Sequence, residues 1–264
     1  MLHLYKPKFP THIYLGVRKS ASSWLWKQLV NHPEISCFHN KEINFFDENY
    51  ELGINWYLNH FNCIKKCAID FTPDYFNELC ANRIYKTLPF AKFIICLRNP
   101  IDRAFSQWKF ANFTDNSDST DFFHSWLENW RNIKTQGLYD VHLHVFWKLF
   151  DKHNFLVLFY DDLEKNSKLF LEKVYTFLNV EHIFDNNYHN KLVPGGNHHW
   201  LRIFNKQIPY EEKYNVYHEY NKKYSIKDEQ YKYMIDYYHK SIDNLNIMLN
   251  KDLSHWYDMT KRNL

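Results

Sequence analysis

The sequence predicts an α/β domain with a central, mostly parallel sheet and a helical C-terminal third. Two observations carry that prediction. Five apolar runs of strand length fall in the first 160 residues, each followed by a loop and then by helix-type periodicity. Beyond residue 200 such runs cease, and Tyr231, Met234, Tyr238, Ile242, Leu245 and Leu249 recur at three- and four-residue steps, the stripe of an amphipathic helix. No internal repeat or low-complexity tract interrupts the 264 residues, so the chain is expected to form a single domain over 1–264, with its core over about 11–180 and the helical part over about 200–264.

Taken in order, "HIYLGV" (12–17) is the first predicted strand. The helix after it starts near Ser22 and carries Leu25 and Leu29 on one face until Asn31, His32 and Pro33 stop it. "EISCFH" (34–39), "KCAID" (66–70), "KFIICL" (92–97) and "NFLVLFY" (154–160) are the remaining strands. "RNPIDRAFSQWKF" contains a helix start: Asn99 caps, Pro100 takes the first helical position, and Asp102 favours the positive end of the helix. Arg103 is read as a structural residue of that helix.

Composition bounds the functional classes. Hydrophobic residues make up 45% of the chain, enough for a sizeable core, and disorder is excluded. A formal charge of +3 fits a local basic pocket for an anionic ligand and not a broad nucleic-acid surface. Five cysteines (Cys37, Cys63, Cys67, Cys80 and Cys96) form no paired framework, and Cys63, Cys67 and Cys80 lack zinc-knuckle spacing, so no metal site is expected. The opening "MLHLYKPKFP" lacks a signal-peptide core and no window holds eighteen uninterrupted apolar residues. The expectation is a soluble cytoplasmic protein without an integral membrane segment.

Ligands of open parallel sheets collect at the carboxyl ends of the strands. Lys19, Glu42, Asp70 and Arg98 lie at the ends of the first four predicted strands. The first of these loops, "GVRKSASSWL" (16–25), runs into a helix, and successive backbone N–H groups turning into a helix bind anions. The Walker pattern needs two glycines around four residues and then Lys-Ser/Thr; here Lys19 precedes Ser20, Ala21, Ser22 and Ser23, so that pattern fails.

This loop resembles the 5′-phosphosulfate loop of sulfotransferases that use 3′-phosphoadenosine 5′-phosphosulfate (PAPS). "LRNPIDRAFSQW" resembles that family's 3′-phosphate motif, which implies Arg98 and Ser106 as its ligands. "NKEINFFDENYELGINWYLNHF" resembles the heparan-sulfate branch, which implies Glu42 as catalytic base, followed by Phe45, Phe46 and Asp47. "DFTPDYF" (70–76) resembles that branch's "EKTPAYF"-type segment, and residues 137–178 follow the family's later helix, strand and helix. Departures stand beside the likeness: Ala21 replaces a usual glycine, and Phe71 stands where heparan-sulfate enzymes commonly carry lysine. Ser22-Ser23-Trp24 resembles the cytosolic small-molecule branch, whose tryptophan stacks on adenine, and Tyr160 matches an adenine-side tyrosine there.

The resemblance implies a P-loop-kinase-like three-layer fold and PAPS as donor without a metal. The donor contacts it implies are Arg18, Lys19, Ser20, Ala21, Ser22, Ser23, Trp24, Arg98, Ser106 and Tyr160. Glu42 is the implied base, Lys19 the cation at the leaving phosphate, and Asp47 and Asp70 the acceptor-side groups. The acceptor is a glycan or a small molecule with a hydroxyl or amine. "PGGNHH" (194–199) resembles the loop that closes over the 3′-phosphate. Trp24 at helical spacing is equally compatible with a core position. Two rivals remain open on the residues alone: an ATP-dependent kinase with Asp70 as its metal carboxylate, and an anion- or glycan-binding module without catalysis.

Overall fold

The computed structural model describes residues 9–37, 41–61, 65–115, 121–184 and 224–259. The chain divides into two compact units, Met1–Leu97 with His142–Leu192, and Arg98–Val141 with Val193–Leu264.

The first unit holds the sheet. Its strands are β1 (His12–Gly16), β2 (Ile35–Cys37), β3 (Cys67–Phe71), β4 (Lys92–Leu97) and β5 (Phe155–Phe159). All neighbours pair in parallel in the order β2-β3-β1-β4-β5, so β1 lies between β3 and β4, with the crossovers leaving it on both sides. The register sets Tyr14 opposite Phe71 and Ile94, then shifts between Tyr14 and Gly16 on the β4 side. Each expected strand is present within one or two residues; β3 ends one residue later than expected, at Phe71, so Asp70 is its penultimate residue.

Alternation along the strands buries both faces. On one side Tyr14, Ile69, Ile94, Cys96 and Leu158 meet α1 (Ser22–Val30) and α8 (Ser167–Leu178), which contribute Trp24, Leu25, Leu29, Phe170, Leu171 and Val174. On the other, Phe93 stacks on Phe155 with centroids 4.7 Å apart and meets Phe150 at 4.7 Å. Each such buried side chain contributes roughly 1.5–3 kcal/mol. Helices on both faces of a parallel sheet make the three layers that the sequence predicts. The unit also contains α2 (Gly53–Leu58), α3 (Glu78–Thr87) and α7 (Tyr160–Lys165), while α6 (Tyr139–Leu149) runs across the boundary between units.

Among the described residues of the second unit the α-helices are α4 (Pro100–Asp115), α5 (Phe122–Leu127) and α9 (Asp228–Leu249). Asn99 Oδ1 accepts the backbone N–H of Ile101 at 2.9 Å, the cap that the Asn-Pro pair predicts, and its Nδ2 donates to the Trp256 carbonyl at 3.1 Å. Arg103 is fully buried and donates to Gln107 and to the Ile133 carbonyl, a structural role. On α9, Tyr231, Met234, Tyr238, Ile242 and Leu245 are buried as their spacing predicts, Leu249 at the helix end is only half-buried, and Trp126 Nε1 donates to Tyr238 Oη at 3.1 Å. Among the described residues no helix is long and apolar enough to cross a membrane.

Candidate active site

The loop after β1 is shaped for an anion. Gly16 has φ +130°, and a Cβ there would lie 2.5 Å from the Pro73 carbonyl oxygen, so only glycine fits. Lys19 (φ 67°) and Ala21 (φ 63°) are left-handed on either side of Ser20, which is not; such alternation turns successive N–H groups into one concavity. Ala21 is the N-cap of α1 and supplies no side-chain cap, so the first N–H groups of this nine-residue helix are not claimed by one. Ser20 is fully buried, its hydroxyl has no hydrogen-bond partner among the described residues, and its carbonyl accepts from Tyr14 Oη at 3.3 Å.

Lys41 approaches this loop from the segment after β2. Its Nζ donates to Ser22 Oγ at 3.0 Å, Ser23 Oγ at 3.3 Å and Glu42 Oε1 at 3.4 Å. Burial pulls the Lys41 ammonium below the usual lysine range, with Glu42 opposing the shift. Glu42 itself keeps 31% of its side chain exposed.

The backbone behind Glu42 is fixed from β3 and the residues after it. Thr72 Oγ1 accepts the Ile43 N–H at 3.2 Å, and Tyr75 Oη accepts the Phe45 N–H at 2.7 Å. Phe45 and Phe46 are buried; Phe45 stacks on Tyr57 at 4.4 Å and Phe46 packs edge-on to Tyr75 at 5.3 Å. Arg83 Nη1 donates to the carbonyls of Phe46 and Asp47, both at 2.9 Å. Asp47 accepts the Glu48 N–H at 2.8 Å and is pushed up to about 6, chiefly by burial, with the Asp74 charge adding to the shift.

Two predicted residues take positions other than those expected. Asp70, expected to meet the acceptor, has no exposed surface: Tyr57 Oη donates to Oδ2 at 2.9 Å and Thr72 Oγ1 to Oδ1 at 2.8 Å. Its carboxylate holds Thr72, and Thr72 holds the Glu42 segment. Trp24, expected to stack on adenine, is 3% exposed and packs edge-on to Phe170 at 6.0 Å, the core position its helical spacing also allowed. Arg18 forms a two-pronged ion pair with Asp74, whose carboxyl is raised first by burial while Arg18 pulls it back.

Tyr160 opens α7 directly after β5, half-buried against the core. In the second unit, Arg98 precedes α4 and its carbonyl accepts Tyr139 Oη at 2.8 Å, while Ser106 is half-buried on α4. The segment 194–199, with His198 and His199, and Cys63 lie outside the described residues. Cys37, Cys67, Cys80 and Cys96 are buried and not in disulfides, and burial pushes Cys67 up to about 11 and Cys80 up to about 12, away from the reactive thiolate. Among the described residues no three His, Cys, Asp or Glu side chains are arranged to hold a metal ion.

A family model described as "Sulfotransferase domain" matches residues 10–192, which include the whole sheet and the anion loop. The chain belongs to the sulfotransferase domain family. This sulfotransferase domain is 37% identical over 108 residues to the membrane-associated sulfotransferase kil1 of Dictyostelium discoideum, covering 39% of this chain and 23% of that protein. It is 26% identical over 209 residues to the human bifunctional heparan sulfate N-deacetylase/N-sulfotransferase 1, covering 70% of this chain and 24% of the relative. With the mouse heparan sulfate glucosamine 3-O-sulfotransferase 5 it shares 37% identity over 112 residues, 40% of this chain and 32% of the relative. The sulfotransferase chain thus spans about a quarter to a third of the length of these relatives. Among solved structures, a sulfotransferase from Alicyclobacillus acidocaldarius has the same fold, with a TM-score of 0.71 and 20% identity over 95% of this chain and 99% of that one.

Two groups of the candidate site carried no clear signal in the sequence. Lys41 stands beside Glu42 and reads as half of a surface ion pair, because the hydroxyls it meets are 18 and 19 residues away. Asp74 was visible only as one member of "DFTPDYF", with nothing to mark Arg18 as its partner.

Proposed function

We propose that this domain transfers a sulfuryl group from PAPS to a hydroxyl or amine of a carbohydrate acceptor. The observation that carries the reading is the anion-shaped loop over residues 16–23, with Lys41 at its serine hydroxyls and Glu42 paired to Lys41. Left-handed Lys19 and Ala21 and the uncapped start of α1 suit the phosphosulfate end of the donor. For the 3′-phosphate the reading takes Arg98 and Ser106, the pair the resemblance supplies. Support for a carbohydrate acceptor comes from the relatives named for heparan sulfate, although Phe71, buried against Tyr14, leaves no cation at a position where those enzymes commonly have lysine.

In the proposed reaction Glu42 accepts the acceptor proton as the acceptor oxygen or nitrogen forms its bond to sulfur. The bond from sulfur to the phosphate oxygen breaks on the opposite side, and the electron pair leaves with the nucleotide. Lys19 stabilises the charge that develops on the departing oxygen, and Lys41 adds a second cation beside the loop. Asp47 orients the acceptor. Asp70 acts at one remove, through Thr72, and its burial between Tyr57 and Thr72 makes it a poor carboxylate for the Mg²⁺ of a kinase.

Thermal shift tests the donor: 3′,5′-bisphosphoadenosine at one hundred times its dissociation constant is expected to add about 2.7 kcal/mol of stability. Stabilisation by ATP with Mg²⁺ and none by the bisphosphate overturns the reading. Glu42→Gln separates enzyme from binding module, with transfer lost and nucleotide binding kept; unchanged turnover removes Glu42 from the base role.

A further inference from the structure

Lys109 lies on α4 three residues after Ser106 and seven after Asp102, so the three positions share one face of the helix. Lys109 is 8% exposed, yet its ammonium makes no hydrogen bond or ion pair among the described residues. It sits over the Phe105 ring, 4.2 Å from the centroid. A cation–π contact of about 0.5–2 kcal/mol offsets little of the cost of burying an ammonium. The charged groups that act on Lys109 are Arg98, which opposes its charge, and Asp102, which favours it. Among the described residues, two cations against one carboxylate act here, on the helix face that also carries Ser106, an arrangement suited to a dianion.

We infer that Lys109 is a third ligand of the donor's 3′-phosphate, acting with Arg98 and Ser106. The inference rests on the donor reading above and adds a residue that the resemblance did not supply. Burial first, and then Arg98, bring the Lys109 ammonium down to about 8, with Asp102 opposing. A phosphate dianion beside it favours the charged form, so binding takes up a proton above pH 8.

The test compares 3′,5′-bisphosphoadenosine with adenosine 5′-monophosphate, which lacks only the 3′-phosphate, on the wild-type protein and on Lys109→Met. Wild type is expected to prefer the bisphosphate. Lys109→Met is expected to cut that preference about tenfold or more and to leave monophosphate affinity unchanged. In wild type the preference falls about tenfold or more between pH 7 and 9.5 as Lys109 loses its proton, and the monophosphate arm cancels titration at the 5′ end. A variant that keeps the preference, or that loses both nucleotides equally, overturns the role of Lys109 and leaves the donor reading standing. A wild-type preference that is flat over this pH range overturns it even if the variant does not fold. Equal binding of the two nucleotides by wild type overturns the donor reading itself, and this inference with it.

Discussion

Lys41 Nζ donates to Ser22 Oγ at 3.0 Å, which ties the residue before the proposed base to the first turn of the helix that follows the anion loop. The same ammonium contacts Glu42 Oε1 at 3.4 Å, so one cation links the loop hydroxyls to the carboxylate. Lys41→Met keeps the length and apolar stem of the side chain and removes the charge. A hydrogen bond to a charged group contributes about 1.5–3 kcal/mol, so affinity for 3′,5′-bisphosphoadenosine is expected to fall roughly 10- to 100-fold. Turnover is expected to fall as well, because Glu42 loses its neighbour. Titration calorimetry and single-turnover assays check both, and unchanged affinity removes Lys41 from the donor site.

Gly16 and Ala21 sit in the same loop at positive φ, yet substitution at each has a different sign. At Ala21 (φ 63°) an L-residue occupies left-handed backbone at a cost of about 1–2 kcal/mol, so Ala21→Gly is expected to raise stability by up to about 1.5 kcal/mol after the entropy of the unfolded glycine, about 0.4–1 kcal/mol, is subtracted. At Gly16 the added Cβ meets a carbonyl oxygen at 2.5 Å, and Gly16→Ala is expected to destabilise well beyond the usual effect of adding a methyl group. Urea unfolding of both variants measures the pair. Destabilisation by Ala21→Gly contradicts the left-handed assignment.

The strands could be read because buried parallel strands are continuous apolar runs, and Lys19 and Arg98 became candidates because charge just after such runs stands out. Lys41 could not, since its partners are remote in sequence. Asp70 shows the complementary failure: charge near a strand end suggests a ligand, but the hydroxyls of Tyr57 and Thr72 that sequester it are fixed only by tertiary packing. At Ala21 the missing glycine was visible, but not that the backbone there keeps the left-handed conformation that glycine favours.

Trp24 lies in the core between α1 and α8, which predicts a stability phenotype and not a specificity phenotype. Trp24→Ala is expected to cost about 3–5 kcal/mol, while Trp24→Phe retains most of the packing and leaves the ratio of adenine to guanine nucleotide affinities unchanged. A changed ratio in the folded Trp24→Phe protein restores the stacking role that the resemblance implied.

Asp70 gives the fold a measurable pH signature. Burial raises its carboxyl to about 6 against the hydrogen bonds from Thr72 and Tyr57 that favour ionisation. Between about pH 4 and 6 the native state therefore holds a proton that the unfolded chain has released, and the free energy of unfolding falls as pH rises through that window. Across that window the lost stability amounts to about 3 kcal/mol, present as a penalty above pH 6. Asp47, also raised to about 6, acts in the same direction. His12, lowered to about 4 by burial and by Lys92, acts in the opposite one, because the unfolded chain binds its proton first and stability rises with pH between about 4 and 6.5. The raw stability curve mixes these contributions, whereas the difference between wild type and Asp70→Asn isolates one of them. That difference is expected to move in favour of the variant by up to about 3 kcal/mol from pH 4 to pH 7, superimposed on a constant cost for the altered hydroxyl contacts. Denaturant unfolding across this range measures it, and a difference that does not vary with pH shows that Asp70 is ionised in the native state throughout.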